Sequence, residues 1–303
     1  MGMPGPLASK RLETRFLTPS DFVLDATAEW SWVQDMIPLE DFFNDVVGKA
    51  QRGLGLTNEA LAEKSDLSVD QILAAKEGAK DVATLLKLAP VLGLHGPALV
   101  TMAESGWYPQ PVQMAGLEQC NTTYHDMTVN AYLLWDPSTL EAVAFDTGAT
   151  AEPMVAKIKE LGLKLKILFL THTHSDHVAD IESLAAPLVL ISAREPLPAA
   201  QTFMVGEIWQ VGGLSIESRS TWGHSKGGTT FVVRGLAQPV AVVGDALFSS
   251  SMGGGAVSFV DALATNRKEI FSLPDETVIA PGHGPMTTLA EEKANNPFYP
   301  EFK

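Results

Sequence analysis

Three histidines and an aspartate crowd into the six positions His172-Thr173-His174-Ser175-Asp176-His177, directly behind the apolar run Leu165 to Leu170. Imidazole nitrogens and carboxylate oxygens are the donors that a borderline cation such as zinc accepts, so the segment reads as a metal site. A turn leaving a strand can aim alternate side chains at one point without helical or pleated constraints. Five of the seven histidines (His172, His174, His177, His224 and His283) fall in Gly-flanked or acidic contexts, each following a predicted strand. Packing alone does not explain such clustering.

The elements that must position these residues are legible nearby. Ile167 to Leu170 is a short continuous apolar run of the kind that makes a strand buried on both faces. Val178, Ile181 and Leu184 recur at helical spacing, which predicts a helix after the cluster and places it on a strand-to-helix turn. Trp222-Gly223-His224-Ser225-Lys226-Gly227-Gly228 precedes the strand Thr230 to Arg234. Val240 to Val243 runs into Gly244-Asp245, and Thr277 to Ala280 runs into Pro281-Gly282-His283-Gly284-Pro285. Each of these turns presents one ligand-type residue among glycines. Alone, a Gly-Asp or Gly-His-Gly is a turn signal. Open α/β sheets bind ligands beyond strand ends, so four such turns can converge on one centre.

In this order the residues resemble the metallo-β-lactamase superfamily, whose pattern is His-x-His-x-Asp-His, a single His, a single Asp and a last His. The resemblance covers roughly residues 111 to 303 and fills all seven ligand positions. It implies an α/β fold, the αβ/βα sandwich of that superfamily, here preceded by a small all-helical domain. It further implies that His172, His174 and His224 hold one divalent ion and Asp176, His177 and His283 a second, with Asp245 bridging. Zinc is the first expectation for both, with iron or manganese as alternatives. A zinc β-lactamase of the commonest type would carry cysteine where Asp245 stands, which disfavours that activity. The glyoxalase II-like hydrolases look closest. Leu273-Pro274-Asp275-Glu276-Thr277, Glu291-Glu292-Lys293 and Asn296-Pro297-Phe298 match their C-terminal pattern, and Asp146-Thr147-Gly148, after the strand Ala142 to Phe145, matches their early turn.

Two divalent ions about 3.5 to 4 Å apart bridge a water whose pKa falls to about 7, and one ion can polarise a scissile carbonyl. Asp176 and Asp245 would then serve catalysis, and Ser225 is expected as a turn hydroxyl rather than a nucleophile. Asp146 is expected to hydrogen-bond a ligand histidine, because ligating imidazoles donate their other N–H to an acceptor. Tyr124, His125 and Met127 precede the strand Asn130 to Trp135, where the superfamily carries a loop over the metal site. Tyr124 and His125 are therefore candidates for substrate contact, with ordinary solvation as the competing reading. The glyoxalase II and persulfide dioxygenase pattern departs at Ser249 to Ala256, a stretch without the cation that the branch carries there; Lys226, on the opposite rim, could supply one.

Upstream, Thr57 caps a predicted helix, Ser68 caps another, and Val82 to Leu94 and Pro97 to Met102 continue the helical texture. Residues 37 to 110 resemble the helix-turn-helix of phage repressors. Charge argues against DNA. The second helix, Ser68 to Glu77, has no arginine, and Leu56 to Gly93 holds six acidic residues against four lysines. A docking or homo-oligomer interface is the preferred role of this domain. Because every candidate ligand lies in 111–303, that region is expected to keep the metal site without residues 1–110. Residues 1–36 form an arm in which Trp30 and Trp32 alternate, and His95 is expected exposed in an interhelical turn.

A chain of 303 residues with 46% hydrophobic content can bury two cores. Cys120 is the single cysteine, so no intrachain disulfide forms, and it is expected to be a small buried residue. No signal peptide or membrane span is evident, and a net charge of −15 opposes polyanions and anionic membranes alike. These features describe a cytoplasmic enzyme acting on a small molecule. The favoured activity is dinuclear hydrolysis of a small ester, thioester or lactone by a metal-bridging hydroxide. The alternatives are mononuclear iron oxidation of a persulfide through His172, His224 and Asp245, and a metal-responsive transcription regulator. A nuclease fits the acidic surface poorly.

Overall fold

Two apolar sets alternate along the central strands, and that alternation builds a layered sandwich. The computed structural model describes residues 36–303, so the N-terminal arm with Trp30 and Trp32 lies outside the described residues. Residues 37–303 form one compact unit. Its first sheet runs in the order β1 (Leu117–Tyr124), β2 (Met127–Trp135), β3 (Glu141–Phe145), β4 (Lys164–Phe169), β5 (Val189–Ser192), β6 (Gln201–Phe203). The second runs β12 (Thr287–Thr288), β11 (Val278–Pro281), β10 (Val240–Gly244), β9 (Thr229–Arg234), β8 (Leu214–Ser220), β7 (Ile208–Val211). Successive side chains of a strand point to opposite faces. Phe145, Phe169, Phe231, Val240 and Val242 accordingly share the core between the sheets, where Phe145 stacks on Phe169 at 5.4 Å between ring centroids.

The alternate residues face outward onto helices. Ala144, Leu168 and Leu170 cluster with Met154 of α6 (Glu152–Leu161). On the other side Ala241, Val243 and Ile279 pack with Phe259 and Ala262 of α7 (Phe259–Glu269) and Leu289 of α8 (Leu289–Asn295). The result is an αβ/βα sandwich.

The helical segment comprises α1 (Phe43–Gly53), α2 (Asn58–Ser65), α3 (Val69–Lys76), α4 (Val82–Val91) and α5 (Gly96–Ala103). Thr57 and Ser68 cap α2 and α3, accepting from Ala60 N at 3.1 Å and Gln71 N at 3.2 Å. Its core residues Val46, Val47, Leu61, Ile72, Leu85 and Leu99 belong to the same apolar cluster as Val243 and Phe259, so the helices continue the core of the second sheet's outer layer. His95 is half-buried rather than exposed. It caps α5, its Nδ1 accepting from Ala98 N at 3.2 Å, while its own N–H donates to Pro297 O at 2.8 Å. Among the described residues no helix is long and apolar enough to cross a membrane.

One expected element does not form. Val178, Ile181 and Leu184 lie in consecutive turns, and only a single 3-10 turn, Glu182–Leu184, follows the histidine cluster. Ala185 takes a left-handed φ of 47° and Pro187 comes two residues later, so the single turn ends there. Asp180, mid-segment, spends its carboxylate on Ala151 N at 2.8 Å.

Candidate metal centre

Four strand ends bring the seven candidate ligands together. His172, His174, Asp176 and His177 follow β4, His224 lies in the turn between β8 and β9, Asp245 follows β10 and His283 follows β11. Parallel pairing of β10 with β11 puts Asp245 and His283 on the same rim. Gly282 makes the approach sterically feasible, since a Cβ there would lie 2.1 Å from Asp245 Oδ1.

The donor atoms fall into two groups, His172, His174, His224 with Asp245, and Asp176, His177 with His283; within each group they lie within 4.8 Å of one another. Asp245 stands between them. Its Oδ2 is 3.3 Å from His224 Nε2 and 3.5 Å from His283 Nε2, and its Oδ1 is 3.3 Å from His177 Nε2. Asp176 Oδ2 lies 3.4 Å from His177 Nε2 and 3.3 Å from His283 Nε2. A tetrahedron with metal–ligand bonds of about 2.0 to 2.1 Å has edges of about 3.3 Å, close to these separations.

The backs of four of the five rings are held by acceptors. His177 Nδ1 lies 2.9 Å from Asp146 Oδ2, His224 Nδ1 2.9 Å from Gly254 O, His283 Nδ1 2.6 Å from Thr128 O, and His172 Nδ1 3.0 Å from Thr171 Oγ1. Thr171 passes this on: its hydroxyl donates to Asp146 Oδ2 at 2.8 Å, leaving its lone pairs for His172, and its backbone N–H donates to Asp146 Oδ1 at 2.7 Å. With Nδ1 turned to these outer partners, the Nε2 atoms of His172, His177, His224 and His283 face the centre and are the atoms free to bind a cation. His172 Nε2, His177 Nε2 and Asp245 Oδ1 are buried without a hydrogen-bond partner. Three inward-facing atoms left so, at a junction of imidazoles and carboxylates, are the signature of donors suited to a divalent cation. The site is a His/Asp metal-binding cluster.

Electrostatics follow burial and partner. Burial presses the His172 and His224 rings below the ordinary histidine range. At His177 and His283 burial is again the largest single influence and lowers them, but the surrounding carboxylates together outweigh it, Asp245 with Asp146 at His177 and Asp245 with Asp176 and Glu40 at His283, and both are raised. Burial pushes the Asp245 carboxyl up, yet the His177 and His283 charges win and hold it well below the usual range.

The other expected residues are placed less centrally. Asp146 sits at a left-handed φ of 57°, which turns its carboxylate toward both Thr171 and His177. His125 adopts a φ of 55° in the tight turn between the β1–β2 partners Tyr124 and Met127, with its ring edge-on to Tyr124 at 4.5 Å. His125 and Met127 are exposed and contribute no atom to the ligand groups. Lys226 is exposed on its turn. Cys120 is buried, its thiol pushed up to about 12 by burial first and by Glu118 second.

Three positions had no signal in the sequence. Glu195, in the turn between β5 and β6, accepts from Thr173 N at 3.2 Å, from the Thr173 hydroxyl and from Gly227 N at 2.7 Å, tying the His172–His174 turn to the His224 turn. Glu40, just before α1, brings Oε2 to 3.9 Å from His283 Nδ1. Lys49 of α1 lies 5.1 Å above the Phe248 ring, which itself packs edge-on against His283 at 5.6 Å. A cation therefore stands behind Ser249 to Ala256, but it comes from the helical segment and is paired with Asp41.

The metallo-β-lactamase superfamily model matches residues 126–283, which contain every ligand of the cluster. A hydroxyacylglutathione hydrolase, GloC, of Haemophilus influenzae is 30% identical over 197 residues, covering 56% of this chain and 92% of the relative. The mitochondrial persulfide dioxygenase ETHE1 of Mus musculus is 33% identical over 180 residues, covering 55% of this chain and 69% of the relative. Among solved structures, the B3 metallo-β-lactamase BLEG-1 superposes with a TM-score of 0.52 at 28% identity, over 60% of this chain and 98% of that one. With the sandwich, the ligand order and the matched span in agreement, the chain belongs to the metallo-β-lactamase superfamily.

Proposed function

We propose that this chain is a dinuclear metal-dependent hydrolase of a small ester, thioester or lactone. The observation that carries the reading is the completeness of both donor groups around a shared Asp245. Bound divalent ions would supply a water acidified toward neutrality and an electrophile for a carbonyl oxygen. His172, His174 and His224 would hold one ion, Asp176, His177 and His283 the other, with Asp245 between them. Zinc suits this nitrogen- and oxygen-rich set.

The chain's own residues then have separable duties. Asp146 and Thr171 fix the tautomers of His177 and His172, and Glu195 holds the two ligand-bearing turns in register. No side-chain nucleophile is needed, and Cys120, with its thiol held protonated, is unsuited to be one. Metal analysis of the purified chain, with a screen over thioesters, lactones and phosphoesters, is the test. Two ions per chain and ester or thioester turnover are expected, with Asp245→Ala losing both occupancy and activity. One ion at metal excess, or an active Asp245→Ala variant, overturns the dinuclear reading.

A second reading is favoured by the 33% identity to a persulfide dioxygenase. It uses His172, His224 and Asp245 for a single iron. One iron per chain and oxygen uptake with a persulfide would support it against hydrolysis.

A further inference from the structure

The helical segment lies outside the residues matched to the superfamily, yet it places an ion pair beside the metal centre. Lys49 of α1 and Asp41, just before α1, pair at 2.5 Å with side chains only 14% and 8% exposed. Burying two charges costs more than their attraction returns unless further hydrogen bonds satisfy them. Both find such partners on one loop of the catalytic region. Asp41 Oδ2 accepts from Ser251 Oγ at 2.5 Å, and Lys49 Nζ donates to Met252 O at 2.9 Å.

That loop leads directly to a ligand. Two residues after Met252, Gly254 O accepts from His224 Nδ1 at 2.9 Å. Between them, the Gly253 backbone is wedged so closely that a Cβ would lie 1.9 Å from Asp245 O and 2.9 Å from His224 Nδ1. A displacement of residues 251–253 must therefore be felt at His224. We propose that the Asp41–Lys49 pair is a positioning device for His224, acting through the backbone of residues 251–254. The helical segment thereby serves the metal site. The inference rests on the reading of His224 as a metal ligand.

The loop has other anchors, which bound the effect. Asn296 Nδ2 donates to Ser251 O at 2.8 Å, and Ser250 N donates to Glu292 Oε2 at 3.1 Å. Loss of Lys49 should loosen Gly254 O rather than abolish its contact, and outer partners of ligating histidines typically govern about 10- to 100-fold in metal affinity. The low end, about tenfold, is expected.

The test is stepwise cobalt(II) titration of the full chain, read by its visible bands and by chelator competition. Lys49→Met keeps the apolar stem against Phe248 but removes the donor. It should weaken the ion held by His172, His174 and His224 about tenfold, and the ion held by Asp176, His177 and His283 less than threefold. Lys49→Arg should recover most of the loss. Asp41→Asn combined with Lys49→Met removes both charges, so no unpaired buried charge remains, and should show the same selective weakening. General destabilisation would weaken both ions alike. Equal weakening, or unchanged affinity in both the single and the double variant, overturns the proposal. A wild-type chain that takes up only one ion at the His172, His174 and His224 group would refute the dinuclear reading but not this one, whose criterion is then the affinity of that ion. A chain that binds no ion refutes both.

Discussion

Asp146→Asn is a nearly isosteric change that should disable the metal centre by reversing protons rather than by removing ligands. The carboxylate accepts three hydrogen bonds, from Thr171 N on Oδ1, and from the Thr171 hydroxyl and His177 Nδ1 on Oδ2. An amide offers one acceptor oxygen and one donor nitrogen. If the nitrogen takes the Oδ1 place, it meets the Thr171 N–H, donor against donor, at a cost of about 1–3 kcal/mol for the unmade bond. If it takes the Oδ2 place, His177 must accept on Nδ1, which moves its proton to Nε2, the atom that faces Asp245 at 3.3 Å. A protonated Nε2 cannot bind a cation. Metal binding then requires the first, costly arrangement, so affinity at the His177 group should weaken about 10- to 100-fold, or about 1.4 to 2.7 kcal/mol. Zinc competition against a chromophoric chelator measures this directly, with turnover falling in parallel. An Asp146→Asn chain whose ion at the Asp176, His177 and His283 group binds within twofold of wild type would refute the tautomer argument.

Glu195→Gln keeps the size of the side chain but places a donor where Thr173 or Gly227 also donates. About a tenfold fall in kcat is expected with a shift of only a few degrees in Tm; unchanged turnover would show that the link between the two ligand turns is dispensable. Glu292 of α8 is fully buried, and burial, against the hydrogen bonds of Asn296 and Ser250, raises its carboxyl from 4.5 to about 7. Folding favours the neutral acid, so its contribution is complete below pH 4.5 and is lost as pH rises through about 7, a change of about 3 kcal/mol. Denaturant unfolding of Glu292→Gln should show this fall in stability removed, and an unaltered pH profile would assign it elsewhere. Hydroxyacyl-glutathione should be a poor substrate beside a neutral ester or thioester, because Lys49 is spent on Asp41 and Met252 O and Lys226 lies on an exposed turn. A kcat/KM on the order of 10⁶ M⁻¹s⁻¹ or above would contradict this.

What the sequence made legible is what local pattern encodes. The strands β4, β10 and β11 appear as short apolar runs because both their faces are buried, and the ligands appear because they stand at the ends of those runs. Thr57 and Ser68 were readable as caps, since capping acts across three residues. The helix expected from Val178, Ile181 and Leu184 was not made, because three apolar residues at helical spacing also suit a series of turns that packs them on one apolar cluster. Glu195 lies in Ala193-Arg194-Glu195-Pro196, which looks like a surface turn; its partners are 22 and 32 residues away in the chain. Lys49 and Met252 are separated by 203 residues. No periodicity or spacing reports contacts of that range.

The helical segment shows the same limit at the level of a whole element. Its likeness in sequence to phage-repressor helices rests on Leu56-Thr57 with Leu61-Ala62 and on Leu85-Leu86-Lys87-Leu88-Ala89, local patterns that specify packed helices and say nothing of what they face. Two surfaces of the segment can be told apart. The inner one, with Val46, Val47 and Leu99, continues the core beneath the second sheet, and from its edge Asp41 and Lys49 reach the loop behind His224. On α3 the exposed residues include Asp70, Gln71 and Leu73, which offer no positive charge to a phosphate backbone. Shared apolar burial ties the segment to the outer layer of the second sheet. Removal of the helical segment would bare Phe259, whose ring lies against Gly53 of α1, as well as release the loop. The metal ligands all survive that deletion in the sequence, but the support for His224 does not.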